Sequence, residues 1–310
     1  MAEFGPFLQA VVDLTPRWSL TAGARYDRVH FRVTDRLLSD GVDNSGTRPF
    51  AATSGALGIT FNPRPSFTVY ANAGNSFETP TTTELNNQPP PGGGGFNPAL
   101  RPQRAWNYEV GGRGAAGRRF SWSVALFQAD VTDELIGFED SLVPGRRYFR
   151  NAARARHRGL ELGAALDLGG GMDLAASWTV SDYHYTTYRI GAFDLAGETI
   201  PGIPRDWLHL RLRARPEFDG GGWVEVETTQ SSGYLVDDTL TTRAPAWRAT
   251  NLRAGWERAV GGVLVSPFLG VHNVLDRKYV GSVVINAARG RYYEPAPGRN
   301  LYLGLSLQTR

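Results

Sequence analysis

The last segment of the chain alternates strictly between leucine and polar or small residues. Leucine occupies positions 301, 303, 305 and 307, and the positions after them hold tyrosine, glycine, serine and glutamine. A period of two is the spacing that places side chains on opposite faces of a β-strand. This segment is therefore predicted to be a strand with one apolar face and one polar face.

The same alternation recurs elsewhere, notably at 160–168 and 208–215. In the second of these segments the polar positions include Arg211, Arg213 and Arg215. A dry protein core does not accept three such neighbours without partners, whereas a water-filled lumen accepts them readily. The pattern predicts the wall of a transmembrane β-barrel, apolar towards lipid and polar within.

Composition excludes several other classes of protein. No run approaches the 18 apolar residues of a membrane-spanning helix. The formal net charge is only +3 and no basic-aromatic motif is present, so no nucleic-acid partner is expected. The chain has 37 glycines, 12 tyrosines, 8 tryptophans and 15 phenylalanines, which suit tight turns and aromatic girdles at the membrane interfaces.

Thirteen strand segments are predicted, separated alternately by short turns and long loops. The strands are 7–14, 18–33, 50–61, 66–76, 104–114, 119–133, 148–168, 172–185, 206–216, 223–233, 247–257, 263–275 and 298–308. The long loops are 34–49, 77–103, 134–147, 186–205, 234–246 and 276–297. Outer-membrane barrels have short periplasmic turns and long extracellular loops, whereas a soluble sandwich has no reason to alternate in this way.

An odd number of strands does not close an all-antiparallel barrel, because the first and last strands then run in the same direction. An open edge leaves backbone groups in hydrocarbon at a cost of several kcal/mol each. We therefore expect an incomplete barrel. Residues 1–4 also lack the basic and apolar regions of a signal peptide, so the natural N-terminus is expected upstream.

Several short motifs resemble, in the same order, those of TonB-dependent outer-membrane receptors. They are FETPTTTEL at 77–85, NPALRPQ at 97–103, YEVG at 108–111, NA at 151–152 with RGLE at 158–161, IPGIPR at 200–205, NVLDRKY at 273–279 and PGR at 297–299. Each is weak alone, but seven in the family's order make a specific pattern that covers nearly the whole chain.

The resemblance implies an all-β fold, an antiparallel transmembrane barrel with about 13 of the family's typical 22 strands. It implies that residues 1–310 are the C-terminal part of that barrel, and that the plug domain, the TonB-contacting box and the first strands are absent. Family members import scarce nutrients across the outer membrane of Gram-negative bacteria, using energy relayed by TonB through the plug. We therefore expect no energised transport by this chain alone.

The motifs also have an architectural interpretation. Asn273 and Asp276 lie where a predicted strand breaks into a loop, which is a place suited to Asx turns. Gly159 and Gly163 lie on a predicted wall strand, where glycine relieves crowding on a curved surface. We expect these residues to build turns and wall rather than to contact a ligand.

Arginine and tyrosine concentrate in the long loops and are the candidate ligand-binding residues. They are Arg147, Tyr148, Arg150, Tyr183, Tyr185, Tyr188, Arg289, Arg291, Tyr292 and Tyr293. Arginine offers a fixed fork of donors for carboxylates, and tyrosine a flat amphipathic surface. Together they suit a metal chelate or another small anionic nutrient. The alternative for any one of them is an aromatic belt with arginines on lipid and lipopolysaccharide phosphates.

No catalytic, metal-binding or cofactor-binding residues are predicted. The five histidines show no metal-ligand spacing, and no serine lies in a nucleophile elbow. The predicted function is uptake of a ferric siderophore or similar chelate. A receptor for another scarce cofactor, such as pyrroloquinoline quinone, is an alternative suggested by a faint resemblance at 280–286 and 293–299.

Two other classes stay open. A self-sufficient passive pore or autotransporter-like barrel would show heat-modifiable migration on gels and ion conductance. A soluble β-rich binding protein would need partners for the three arginines of 208–215 and would stay monodisperse without detergent.

Overall fold

In the computed structural model the described residues are 1–309 except 42, 87, 90–95, 141, 142, 144, 152, 153 and 217–220. They form one large antiparallel sheet and several separate two-stranded sheets in the long loops, which we call ribbons. The wall strands are β1 (Ala2–Phe4 and Phe7–Thr15), β2 (Trp18–Val33), β3 (Gly46–Arg64), β4 (Phe67–Glu78), β5 (Gln103–Ala116), β6 (Phe120–Thr132), β7 (Arg154–Gly169), β8 (Met172–Thr187), β9 (Asp206–Ala214), β10 (Gly222–Ser231), β11 (Trp247–Trp256 and Arg258–Val260), β12 (Val263–His272) and β13 (Asn300–Thr309).

Each wall strand pairs antiparallel with its neighbours in chain order. Two of them, β1 and β11, are interrupted, but both parts of each pair with the same partner strand. The described residues thus contain the thirteen wall strands that the sequence predicts. Among the described residues β1 and β13 do not pair with each other, so the sheet is open, as the odd count predicts.

The predicted alternation is confirmed in three dimensions. Leu301, Leu303, Leu305 and Leu307 are 61–79% exposed, although a soluble protein would bury such a row. Exposed aromatic residues lie near both ends of this apolar face. They are Trp106, Tyr108 and Trp178 near the long-loop end, and Trp18, Phe120 and Trp256 near the short-turn end. Two aromatic rows flanking an apolar band are typical of a barrel that faces lipid.

The opposite face carries the predicted row of arginines, and each has a carboxylate within 4.0 Å. Arg211 and Arg215 approach Asp173, and Arg213 approaches Glu257. The adjacent Arg253 donates at 2.6 Å to Glu225, whose side chain is 2% exposed. A soluble protein would also need partners for these arginines, so the ion pairs are compatible with a soluble protein as well as with a barrel. The exposed leucines on the other face favour the barrel.

Glycines on the polar face make room for aromatic rings of neighbouring strands. A Cβ on Gly159 would lie 2.6 Å from Cζ of Phe127 and would also collide with the carbonyl oxygen of Val180. A Cβ on Gly163 would meet the rotatable hydroxyl of Ser123. The prediction that both glycines relieve crowding on the wall is confirmed. In the turn between β7 and β8, Gly169, Gly170 and Gly171 have φ of 78°, 60° and 74°, which glycine adopts without strain.

The strand predicted at 148–168 is wrong as a single element. It divides into a short ribbon strand at Arg147–Asn151 and β7, because the ribbon strand pairs with Leu135–Glu139 rather than with the wall. The long loops also contain ribbons that the periodicity does not reveal, including Tyr234–Leu235 with Arg243–Ala244 and Val280–Val283 with Tyr293–Pro295. Ala152 of the fourth motif and positions 219 and 220 of the predicted turn lie outside the described residues.

The two clusters of buried apolar residues lie at the long-loop end of the sheet. One cluster packs Leu85 and Leu100 against Val29, Phe31 and Phe50 on β2 and β3. A capping box at Thr81 and Glu84 begins the short helix Thr82–Leu85 that presents Leu85. The FETPTTTEL and NPALRPQ motifs thus attach a long loop to the wall. No helix among the described residues is long and apolar enough to cross a membrane.

Candidate functional site

Four long loops meet at one end of the sheet, and we call their described residues the loop cluster. They are 133–151, 188–205, 232–246 and 273–299. Backbone hydrogen bonds join them in series. The amide of Glu139 donates to the carbonyl oxygen of Asn286 (3.2 Å), the amide of Asn286 to that of Val236 (3.0 Å), and the amide of Gly202 to that of Leu235 (2.7 Å). These bonds link loops that are far apart in the sequence.

The base of the last loop is built by the NVLDRKY motif. Asn273 has φ of 49° and is 3% exposed; its side chain donates to the carbonyl oxygen of Arg277 (2.8 Å) and accepts from the amide of Arg277 (2.9 Å). Asp276 accepts from the amide of Arg299 at 2.8 Å, which closes the two ends of the loop. The prediction that this motif forms turns is confirmed.

Asp238 is the centre of the loop cluster. Its carboxylate accepts hydrogen bonds from the hydroxyls of Tyr185 (3.2 Å) and Tyr188 (3.3 Å) and from Nδ2 of Asn286 (2.9 Å). The guanidinium of Arg150 lies 3.6 Å away and donates from Nε to the Tyr188 hydroxyl at 2.9 Å. Burial raises the pKa of Asp238 above its ordinary value, although the tyrosine and asparagine donors and Arg150 partly offset that effect.

Burial also raises the pKa of Tyr188, and the nearby Asp238 charge acts in the same direction, so its hydroxyl stays protonated as a donor.

A second polar contact joins the first and last loops of the cluster. Glu139 accepts hydrogen bonds from the amides of Ala288 (3.2 Å) and Gly145 (3.3 Å) and from the guanidinium of Arg291 (2.8 Å). Burial by itself would raise the pKa of this carboxyl, but the two amides and Arg291 outweigh it and hold the pKa below its ordinary value. Glu139 is therefore ionised at neutral pH and stays paired.

Predicted ligand-binding residues from three separate parts of the chain are joined through two carboxylates. Asp238 connects Tyr185 and Tyr188 to Arg150, and Glu139 connects the ribbon of Arg147 and Tyr148 to Arg291. Asp238, Asn286 and Glu139 are not among the residues predicted from the sequence. The one local indication of Asp238 is the acidic pair 237–238, in a loop whose other polar side chains are mostly hydroxyl groups.

The predicted residues differ in what they can offer to a ligand. Tyr148, Tyr185 and Tyr188 are 1%, 1% and 4% exposed, so their rings pack within the loop cluster. Tyr183 is half-buried and stacks on His157, with ring centroids 4.3 Å apart. The remaining side chains reach the surface to different degrees.

Arg289 and Arg291 are exposed, and Arg289 adopts a left-handed φ of 58°. Tyr293 is 44% exposed and donates from its hydroxyl to the carbonyl oxygen of Arg243 (2.9 Å), while Tyr292 and Arg147 are partly buried. The arrangement offers cationic and aromatic surface on a platform held by buried polar contacts. Within the described part of the chain, no three His, Asp or Glu side chains converge to hold a metal ion.

Comparison with known proteins decides the family. A family model described as "TonB dependent receptor-like, beta-barrel" matches residues 2–274. The chain belongs to the TonB-dependent receptors. Receptors of this family lie in the outer membrane of Gram-negative bacteria and are not enzymes, so the predicted location and the absence of enzymatic activity follow from membership. The predicted all-β barrel fold is confirmed as well.

The similar proteins are all considerably longer. The chain is 24% identical over 306 residues to the probable TonB-dependent receptor BfrD of Bordetella pertussis, a match that covers 94% of this chain and 38% of that protein. The structure resembles copper transporter OprC (TM-score 0.76, 19% identity) and the ferric yersiniabactin uptake receptor FyuA from Yersinia pestis (TM-score 0.74, 18% identity). Each structural match covers 98% of this chain, and 47% and 44% of the two receptors. At such identities the likeness concerns the fold, and the chain spans less than half the length of these relatives.

Proposed function

We propose that this chain forms the wall and the ligand-capturing loops of a receptor for uptake of a ferric siderophore or a similar metal chelate. The observation that carries the proposal is the joining of the arginine- and tyrosine-rich loops, through Asp238 and Glu139, into one platform above the polar face of the wall. A fixed platform reduces the entropy that a ligand must remove from the loops when it binds.

Two further observations support this proposal. The similar structures include proteins titled as a ferric yersiniabactin uptake receptor and a ferric citrate transporter. The second is chemical, since forked arginine donors and tyrosine rings suit the anionic oxygens and flat surfaces of metal chelates.

The partners of the receptor are part of the same proposal. Residues 1–310 would correspond to the C-terminal part of the barrel, and a plug domain would relay energy from TonB to the bound ligand. The order of the seven motifs supports this placement. The exposed aromatic side chains Trp106, Tyr108 and Trp178 would lie at the lipid headgroups, with exposed arginines of the loops on lipopolysaccharide phosphates.

Ligand titration of the purified chain in detergent tests the proposal. Ferric catecholate, hydroxamate and carboxylate siderophores are added separately while tryptophan fluorescence is recorded. Saturable binding of at least one ferric chelate is expected, with no effect of the same concentration of neutral sugar. The absence of binding by all three classes contradicts the proposal. Steady ion conductance in planar bilayers without chelate binding would instead favour the passive pore.

A further inference from the structure

A cleft of about 460 Å³ lies at the loop end of β8, separate from the contacts of Asp238. Its walls come from the end of β8, from the loop between β8 and β9, and from the loop between β10 and β11. The residues that matter here are Ser181, Tyr183, Thr199, Arg205, Tyr234 and Arg243. This volume is within the range of small-molecule sites in proteins, about 300–1,000 Å³.

Backbone hydrogen bonds fix the walls of the cleft. The amide of Ser181 donates to the carbonyl oxygen of Arg205 (2.7 Å), and the amide of Ile200 to that of Tyr183 (3.0 Å). On the far side, the amide of Gly202 donates to the carbonyl oxygen of Leu235 at 2.7 Å. These bonds hold the backbone of the cleft walls in place without a ligand.

The charge in the cleft is positive. Arg243 donates from Nη2 to the carbonyl oxygen of Gly233 (3.1 Å), which is a neutral acceptor. Among the described residues neither Arg205 nor Arg243 has a carboxylate within 4.0 Å. Asp182 also lines the cleft, but its carboxylate is paired at 2.6 Å with Arg158. The two arginines therefore keep their charge available.

Arg205 lies at the start of the polar row of β9. Asp206 accepts a hydrogen bond from the indole of Trp178 on the lipid-facing side. Leu208 and Leu210 lie on the same side of β9. By alternation, Arg205 shares the polar face with His209 and Arg211. Arg205 therefore lies at the loop end of the polar face.

We infer that this cleft binds a small molecule that carries at least two carboxylates, with Arg205 and Arg243 each holding one of them. Guanidinium forks match carboxylates in a bidentate manner, and two unpaired arginines lining one cleft favour a ligand with two anionic groups over one with a single anionic group. Tyr183 and Tyr234 also line the cleft, and tyrosine offers an amphipathic surface that suits the carbon skeleton of such a ligand. The inference rests on the proposed function and adds the chemistry of the ligand to it.

Calorimetric titration of the purified chain with citrate, and with ferric citrate, tests this inference. Arg205→Gln and Arg243→Gln should each weaken binding of these polycarboxylates about tenfold or more, because each removes a charge-assisted contact, and the double variant should show no binding. Arg101→Gln is the matched control, since Arg101 is also an exposed arginine at the loop end but pairs with Asp133. Its affinity should equal that of the unmodified chain.

Three outcomes overturn the inference: no binding of either probe by the unmodified chain, unchanged affinity in the double variant, or equal weakening in the Arg101→Gln control. Circular dichroism and limited proteolysis of the loops confirm that each variant is folded, and Arg205→Lys, which keeps the charge without the fork, should bind more weakly than the unmodified chain.

Failure of the two proposals can be distinguished. If a neutral ferric hydroxamate binds and the double variant retains that binding while citrate never binds, chelate capture survives and the cleft inference fails. If citrate binds through the two arginines but no ferric chelate of any class does, the cleft inference survives and the proposed uptake function fails.

Discussion

Asp238 and Asn286 hold each other through two reciprocal hydrogen bonds. The amide of Asp238 donates to Oδ1 of Asn286 at 2.8 Å, and Nδ2 of Asn286 donates to Oδ2 of Asp238 at 2.9 Å. This pair joins the loop between β10 and β11 to the loop between β12 and β13. Because Tyr185, Tyr188 and Arg150 meet the same carboxylate, one buried side chain connects four loops.

Replacing Asp238 should loosen all four loops together. In Asp238→Ala, the buried hydroxyls of Tyr185 and Tyr188 and the side-chain amide of Asn286 lose their acceptor, at a cost of about 1–3 kcal/mol in local stability. Hydrogen–deuterium exchange should accelerate in all four loops of the loop cluster (133–151, 188–205, 232–246 and 273–299) while the wall strands are unaffected. Asp194→Ala, which removes an exposed pair with Arg189, is the control. Faster exchange in one loop alone would contradict the central role of Asp238.

The loop cluster should become less stable as pH rises through the titration of Asp238. Its pKa is raised in the folded state, so the folded chain binds more protons than the unfolded chain above the ordinary value of 3.8. The contribution of this group is fully present below that value and is lost as pH rises to the raised pKa. Glu139 has a lowered pKa, so its opposite effect is confined to pH below about its ordinary 4.5.

Exchange protection factors of 234–246, measured between pH 4 and pH 7 and corrected for intrinsic rates, check this direction. Asp238→Asn removes the titrating carboxyl and should flatten the profile above pH 4.5. If the protection factors change equally with pH in the unmodified chain and in Asp238→Asn, another titrating group is responsible.

One ion pair on the polar face contains a buried carboxylate. In Arg253→Ala, the carboxylate of Glu225, which is 2% exposed, loses its guanidinium partner and should cost about 1–3 kcal/mol in unfolding free energy. Arg253→Ala combined with Glu225→Gln should recover part of that loss. Arg258→Ala, an exposed arginine over Trp256, should change little. Urea titration in detergent measures all three, and equal effects at 253 and 258 would contradict the assignment.

The space at Gly159 is required by the ring of Phe127. Gly159→Ala should destabilise the chain by about 1–3 kcal/mol, because the added methyl group collides with the ring and with the Val180 carbonyl. Gly163→Ala should cost less, because the Ser123 hydroxyl can rotate away. Thermal unfolding of both variants, with Gly159→Ala/Phe127→Ala as a partial rescue, checks the difference. Equal losses at 159 and 163 would contradict it.

The two faces of the wall should meet different solvents. Spin labels at Leu303, Leu210 and Leu162 should be accessible to oxygen, which partitions into lipid, whereas labels at Arg211 and Ser306 should be accessible to a water-soluble nickel chelate. Power-saturation spectra of the chain in lipid vesicles measure both accessibilities. Protection of the leucine positions from oxygen by a second protein layer would contradict the lipid-facing assignment.

The wall could be predicted from the sequence because its determinants are local. Alternation of leucine with polar residues fixes which face of β13 is apolar, and the Gly169–Gly171 run fixes a tight turn without reference to distant residues. The same local logic misplaced one boundary, since 147–151 has strand composition but pairs within its own loop.

The loop cluster could not be predicted, because its contacts join distant parts of the chain. Asp238 and Asn286 are 48 residues apart, and Glu139 and Arg291 are 152 apart. No periodicity relates such pairs; only the arrangement of strands brings their loops to one end of the sheet. The sequence alone thus determined the number of strands and the solvent of each face. The tertiary structure decided which tyrosines and arginines are buried in contacts and which remain available, because long-range hydrogen bonding selects among side chains of the same type.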